Sequence, residues 1–120
     1  MDHICLVAPV QDGKADAARD FMHDLDGSRR DEYDRSEQRI GIRKEVWFLA
    51  PTAGGDQLIG YMESPDFNSA FTQFVGSRDE FDLWFKDRFA DVTGIDLNNP
   101  PEMALPELLS AYEVGMPVSA

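Results

Sequence analysis

Between Gly41 and Ser64 the chain reads GIRKEVWFLAPTAGGDQLIGYMES, two runs of β-favouring residues around a Pro- and Gly-rich turn. This is the pattern of a β-hairpin. Ile42 to Leu49 forms one expected strand and Gln57 to Glu63 the next. The linker Ala50 to Asp56 is too short for a parallel crossover, so the two strands pair antiparallel. A half-buried hairpin must lay one face against something else, and the remaining segments are placed by how they cover it.

His3 to Pro9 (HICLVAP) is a short apolar run ending in proline, read as a strand at the centre of a sheet. Asp12 to Leu25 follows a helical stripe through Ala15, Ala18, Phe21, Met22 and Leu25, with Asp12 as a candidate N-cap. Ser28 to Gly41 is almost wholly charged, with acids and arginines three and four apart, and reads as an exposed second helical segment. Beyond the hairpin, Ser64-Pro65-Asp66 opens a helix through Phe67, Ala70, Phe71 and Phe74. Gly76 interrupts it. Ser77 to Glu80 has the spacing of a capping box, and a further helix through Phe81, Trp84, Phe85, Phe89 and Val92 ends at Gly94. Aromatics at this spacing are core residues before they are a ligand box. Ile95 to Pro106 is a loop by composition. Residues 107–114 (ELLSAYEV) are ambiguous between helix and strand, and the order of the other elements favours a final strand. The expected organisation is a single domain over 1–114 with a tail over 115–120.

Strand, helix, strand, strand, helix, strand is the split βαβ order. The fold class is therefore α+β: ferredoxin-like βαββαβ, a four-stranded antiparallel sheet with its helices on one face and the other face bare. A bare face carrying apolar side chains requires a cover. A second copy of the chain is the simplest one, which makes a homodimer the expected partner.

The net charge of −12 over 120 residues argues against nucleic acid and anionic membranes as partners. One cysteine, Cys5, allows no internal disulfide, which fits a reducing compartment. The first ten residues lack the length and flanks of a signal peptide, and no apolar run approaches the length of a membrane span. A cytoplasmic location is expected.

The length, the element order and the aromatic-rich second helical region resemble the dimeric α/β-barrel superfamily, in which two ferredoxin-like sheets face each other. The run SRDEFDLWFKDRFADVTGIDL, from Ser77 to Leu97, is similar to small bacterial proteins of this type. The resemblance implies a homodimeric barrel. It does not choose a reaction, because the superfamily includes cofactor-independent oxygenases, haem-degrading enzymes, isomerases and ligand-sensing domains.

Alternation divides each strand between two faces. Ile42, Lys44, Val46 and Phe48, with Leu58, Gly60 and Met62, suit the helix-covered face. Arg43, Glu45, Trp47, Tyr61 and Glu63 then share the bare face, joined by His3, Cys5 and Val7. In a barrel interior, Glu63 or His3 could act as general base. Arg43 would hold an anion, Glu45 would add a second carboxylate, and Trp47 and Tyr61 would form the walls for a small polar or aromatic molecule. The plain alternative is that Arg43 pairs with Glu63 or Glu45 and the aromatics pack across a dimer. The competing functions are a non-catalytic dimerisation module and a cofactor-independent monooxygenase- or isomerase-like enzyme. No cofactor is called for. A metal would need His3, Glu45 and Glu63 together, which the spacing does not require. Cys5 in an apolar strand reads as an inert thiol. Gly54-Gly55 lacks the lysine and helix of a phosphate loop and reads as a turn.

Overall fold

The computed structural model of the chain describes residues 1–102 and 104–115. Its elements are β1 (Asp2–Pro9), α1 (Ala15–Asp26), α2 (Arg30–Ile40), β2 (Lys44–Thr52), β3 (Gly55–Ser64), α3 (Phe67–Gly76) and α4 (Glu80–Thr93). The hairpin is present, and β3 is the middle strand of an antiparallel sheet ordered β1-β3-β2. The strands run further into the turn than expected. Thr52 pairs with Gly55, leaving only Ala53 and Gly54 between them. Gly55 has φ 116°, a conformation that side chains rarely adopt.

Two expectations about the sheet need correction. Residues 107–114 form no strand, so among the described residues the sheet has three strands, not four. β1 is consequently an edge strand, paired with β3 alone. Of the tail assigned to 115–120, everything after Gly115 lies outside the described residues.

The helices cover one face of the sheet. Ala18, Phe21 and Leu25 of α1 are buried, as are Tyr33, Ser36 and Ile40 of α2 and Phe81, Phe85, Phe89 and Val92 of α4. Against them the sheet presents Leu6, Ala8, Leu58 and Met62. Gly41 (φ 94°) and Gly94 (φ 78°) close α2 and α4 in the left-handed conformation. The N-caps of α3 and α4 are aspartates: Asp66 accepts from Ser69 N–H at 3.1 Å and Asp79 from Phe81 N–H at 3.0 Å. Ser77, the expected cap of α4, instead donates its hydroxyl to Asp82 at 2.6 Å. Asp12 precedes α1 without capping it.

Two buried charges tie the helices together. Asp82 is fully buried and accepts from Ser36, Ser77 and Arg39, joining α2 to the turn before α4. Lys86, 1% exposed, donates to the carbonyls of Phe74, Val75 and Ser77 at 3.0–3.1 Å. It thereby satisfies acceptors that the end of α3 leaves open. No helix among the described residues is long and apolar enough to cross a membrane.

Candidate functional site

The alternation expected for β1 and β3 holds, but that of β2 is reversed. Trp47 and Leu49 pack on the helix-covered core, and Phe48 stands 57% exposed on the bare face. Gly60 supplies the reason. It lies directly opposite Trp47 in the ladder, and the indole ring occupies the space where a side chain at Gly60 would be. Burying this ring and Leu49 outweighs burying Val46 and Phe48. Glu45 is carried to the covered face with Trp47.

There Glu45 meets a set of donors. The Tyr33 hydroxyl of α2 donates to Glu45 Oε2, and so does the indole N–H of Trp47 at 2.9 Å. Glu37, one helical turn after Tyr33, brings a second carboxyl to the same spot. Burial, then the charge of Glu45, pushes Glu37 well above the usual carboxylate range. Burial raises Glu45 as well, while the hydrogen bonds from Tyr33, Trp47 and Glu37 work in the opposite direction. Two adjacent carboxyls withdrawn from water cannot both ionise readily, and of the two it is Glu37 that its neighbour pushes toward the protonated form. Burial and then the two acids also raise the Tyr33 phenol, which stays a donor.

The pair stands between two spaces. Inward is an apolar cavity of about 50 Å³ beneath Trp47, Met62, Phe74 and Phe85. Outward is an open cleft of about 510 Å³ rimmed by Arg30, Arg43 and Lys44, with Tyr33, Glu37 and Glu45 at its base. The outer volume is in the range of small-molecule sites. Arg30 is engaged by Asp26 at 3.6 Å. Among the described residues neither Arg43 nor Lys44 forms an ion pair. The pairing of Arg43 with Glu63 or Glu45 is thus not formed; its backbone N–H donates to the carbonyl of Glu63 at 2.8 Å.

The other three site residues come together on the bare face. Tyr61 donates to Glu63 Oε2 at 2.7 Å, and His3 Nδ1 lies 2.8 Å from the same phenol oxygen. The ladder fixes this group, since His3 pairs with Glu63 and Cys5 with Tyr61. Tyr61 is pushed up to about 12, first by its bond to Glu63, then by burial and by the charges of Glu63 and Glu113.

The single constellation expected from alternation is therefore two. Arg43 and Glu45 belong to the cleft on the helix side and Trp47 to the apolar cavity within it, whereas His3, Tyr61 and Glu63 belong to the bare face. The sheet separates His3 and Glu63 from Glu45, which removes the metal triad they would have formed. Among the described residues no three His, Cys, Asp or Glu side chains converge on a metal position. Sequence reasoning missed Tyr33 and Glu37, which sit in a segment dominated by charge. Their spacing of four, with Tyr33 the one aromatic there, was the available signal.

No protein-family model matches the sequence, and no curated protein matches it. Among solved structures, the fold is similar to that of tetracenomycin F2 cyclase from Streptomyces glaucescens, a type-II polyketide cyclase. The TM-score is 0.53 at 14% identity, covering 98% of this chain and 100% of that one. At this identity the likeness is one of fold alone.

Proposed function

We propose that the protein binds a small aromatic carbonyl compound bearing an anionic group in the cleft at the base of α2. There it would catalyse proton transfer next to the carbonyl without a cofactor. The carrying observation is the Glu37–Glu45 pair, two carboxyls whose ionisation burial opposes, at the floor of a cleft with a cationic rim. In the reaction Glu45 removes a proton from the carbon next to the carbonyl. Glu37 gives its proton to the carbonyl oxygen, and the product is the enol. Arg43 and Lys44 attract the anionic group, and Tyr33 at the base of the cleft is the aromatic side chain there. The fold shared with a polyketide cyclase supports the reading, because ring closure between carbonyl groups needs this kind of proton movement. We further propose that the chain is a homodimer joined through the bare face, where Phe48 and Val7 are exposed.

The test is solvent deuterium exchange at the α-carbon of 2-tetralone, followed by NMR, with binding of 3-hydroxy-2-naphthoate measured in parallel by tryptophan fluorescence. Wild-type protein is expected to accelerate exchange. Glu37→Gln should abolish the acceleration, and Arg43→Ala should weaken naphthoate binding about tenfold. Exchange at the buffer rate with wild-type protein, together with no naphthoate binding at millimolar concentration, sinks the proposal.

A further inference from the structure

The cleft and the apolar cavity behind it share one wall. Glu37, Ile42 and Glu45 line both, so these residues form the partition between the two spaces. Beyond it stand Leu6 and Met62 of the sheet, Ala70 and Phe74 of α3, and Phe85 and Phe89 of α4. A void in a core lowers stability in proportion to its size, and this one is kept directly behind the two carboxyls.

The cavity does not suit water. A buried water needs about two to four polar partners. The polar side chains on the wall are already engaged: Ser36 donates to Asp82, Tyr33 and Trp47 donate to Glu45, and Glu37 is hydrogen-bonded to Glu45. Nor does it suit a ring. At about 50 Å³ it has about a third of the ~150 Å³ of an apolar cavity that admits benzene. What fits is a methyl or ethyl group.

We infer that this cavity is the subsite for a short alkyl group, methyl or ethyl, carried on the carbon that gives up its proton in the cleft. The inference rests on the reaction proposed above and narrows its substrate. That reaction sets the ketone between the two carboxyls, because Glu45 takes a proton from carbon while Glu37 gives one to the oxygen. The reacting carbon keeps one hydrogen for Glu45 and carries the alkyl group in place of the other. The alkyl group then points past Glu45 into the space behind it. The ring stays outside, in the cleft with Tyr33, and the anionic group stays at the rim with Arg43 and Lys44. Seating a methyl group here removes it from water and fills part of the void, so both effects favour the alkylated substrate. A longer chain runs into Ala70, Phe74 and Phe85 and is rejected.

Deuterium exchange with the full-length protein tests this on 2-tetralone and its 1-methyl and 1-butyl derivatives. Each rate is read at the carbon between the carbonyl and the aromatic ring and divided by its rate in buffer. Wild-type protein should favour the methyl ketone over 2-tetralone about fourfold, the ratio that burial of one such group gives. It should disfavour the butyl ketone by about tenfold or more. Ala70→Val fills the cavity and should erase the methyl preference. Phe74→Leu enlarges it and should bring the butyl ketone level with 2-tetralone. Circular dichroism checks that both variants are folded. Equal acceleration of all three ketones by the wild type overturns the subsite and leaves the reaction standing, as does a methyl preference that survives in Ala70→Val. No acceleration with any of them overturns the reaction and the subsite with it.

Discussion

Gly60→Ala tests the placement of Trp47, on which the cleft depends. A methyl group at position 60 would stand 2.6 Å from Cζ3 and 2.7 Å from Cη2 of Trp47. Non-bonded carbons rest at about 3.5–4.0 Å, so the ring must shift by roughly 1 Å. It has little room to do so. Phe85 and Phe89 lie behind it at centroid distances of 6.3 and 6.2 Å, and its N–H is held by Glu45 at 2.9 Å. Overpacking of this kind costs about 1–3 kcal/mol. The confined ring and the strained bond to a carboxylate place the cost near the upper end, about 2–3 kcal/mol. Thermal unfolding should then fall by roughly 6–15 °C. In a Trp84→Phe background, where Trp47 is the sole tryptophan, its emission should also change as the ring leaves Glu45. Equal melting temperatures and an unchanged Trp47 spectrum would refute the reasoning and return Trp47 to the bare face.

Asp82→Ala should destabilise the protein by about 2–4 kcal/mol in chemical denaturation, because the hydroxyls of Ser36 and Ser77 lose a fully buried acceptor. Arg39 is partly exposed and can turn to water or to Asp79, so its stranded charge adds little. Lys86→Met leaves the carbonyls of Phe74, Val75 and Ser77 without their donor, and a loss of about 1–2 kcal/mol should appear in the same assay. The acid pair predicts a pH trend. Glu37 holds its proton in the folded chain above the ordinary 4.5 at which the unfolded chain gives it up. The folded state then binds more protons, and stability falls by about 1.4 kcal/mol per pH unit from near pH 4.5 upward until the folded pair ionises. Glu37→Gln should flatten that slope in urea titrations run at pH 5 to 8; an unchanged slope would assign it to other groups.

The fold was largely legible because its signals are local. The hairpin, the apolar stripes and Gly41 and Gly94 as helix ends are all written within a few residues of where they act. What escaped depended on distant partners. The faces of β2 could not be ranked from β2 alone, since each set holds aromatic or aliphatic and charged members. The deciding residue was Gly60, whose missing side chain makes room for Trp47 on the neighbouring strand. Glu45 was assigned to the open face because a carboxylate is costly to bury, yet Tyr33, Trp47 and Glu37 together make its burial tolerable. That His3, Tyr61 and Glu63 share the bare face was legible because β1 and β3 alternate cleanly between buried and open positions. The strand expected at 107–114 followed from element order, a property of a whole fold. Its larger apolar residues, Leu108, Leu109, Tyr112 and Val114, stand exposed.

The central claim is that Glu37 and Glu45 share a proton at neutral pH on the floor of the cleft. Infrared difference spectroscopy reports it most directly, through the carbonyl stretch of a protonated carboxyl. At pH 7 the wild-type protein should show this band, and both Glu37→Gln and Glu45→Gln should remove or shift it. If the wild-type protein shows no protonated carboxyl at pH 7, and both acids titrate in the ordinary range near pH 4.5, the account of the site is contradicted.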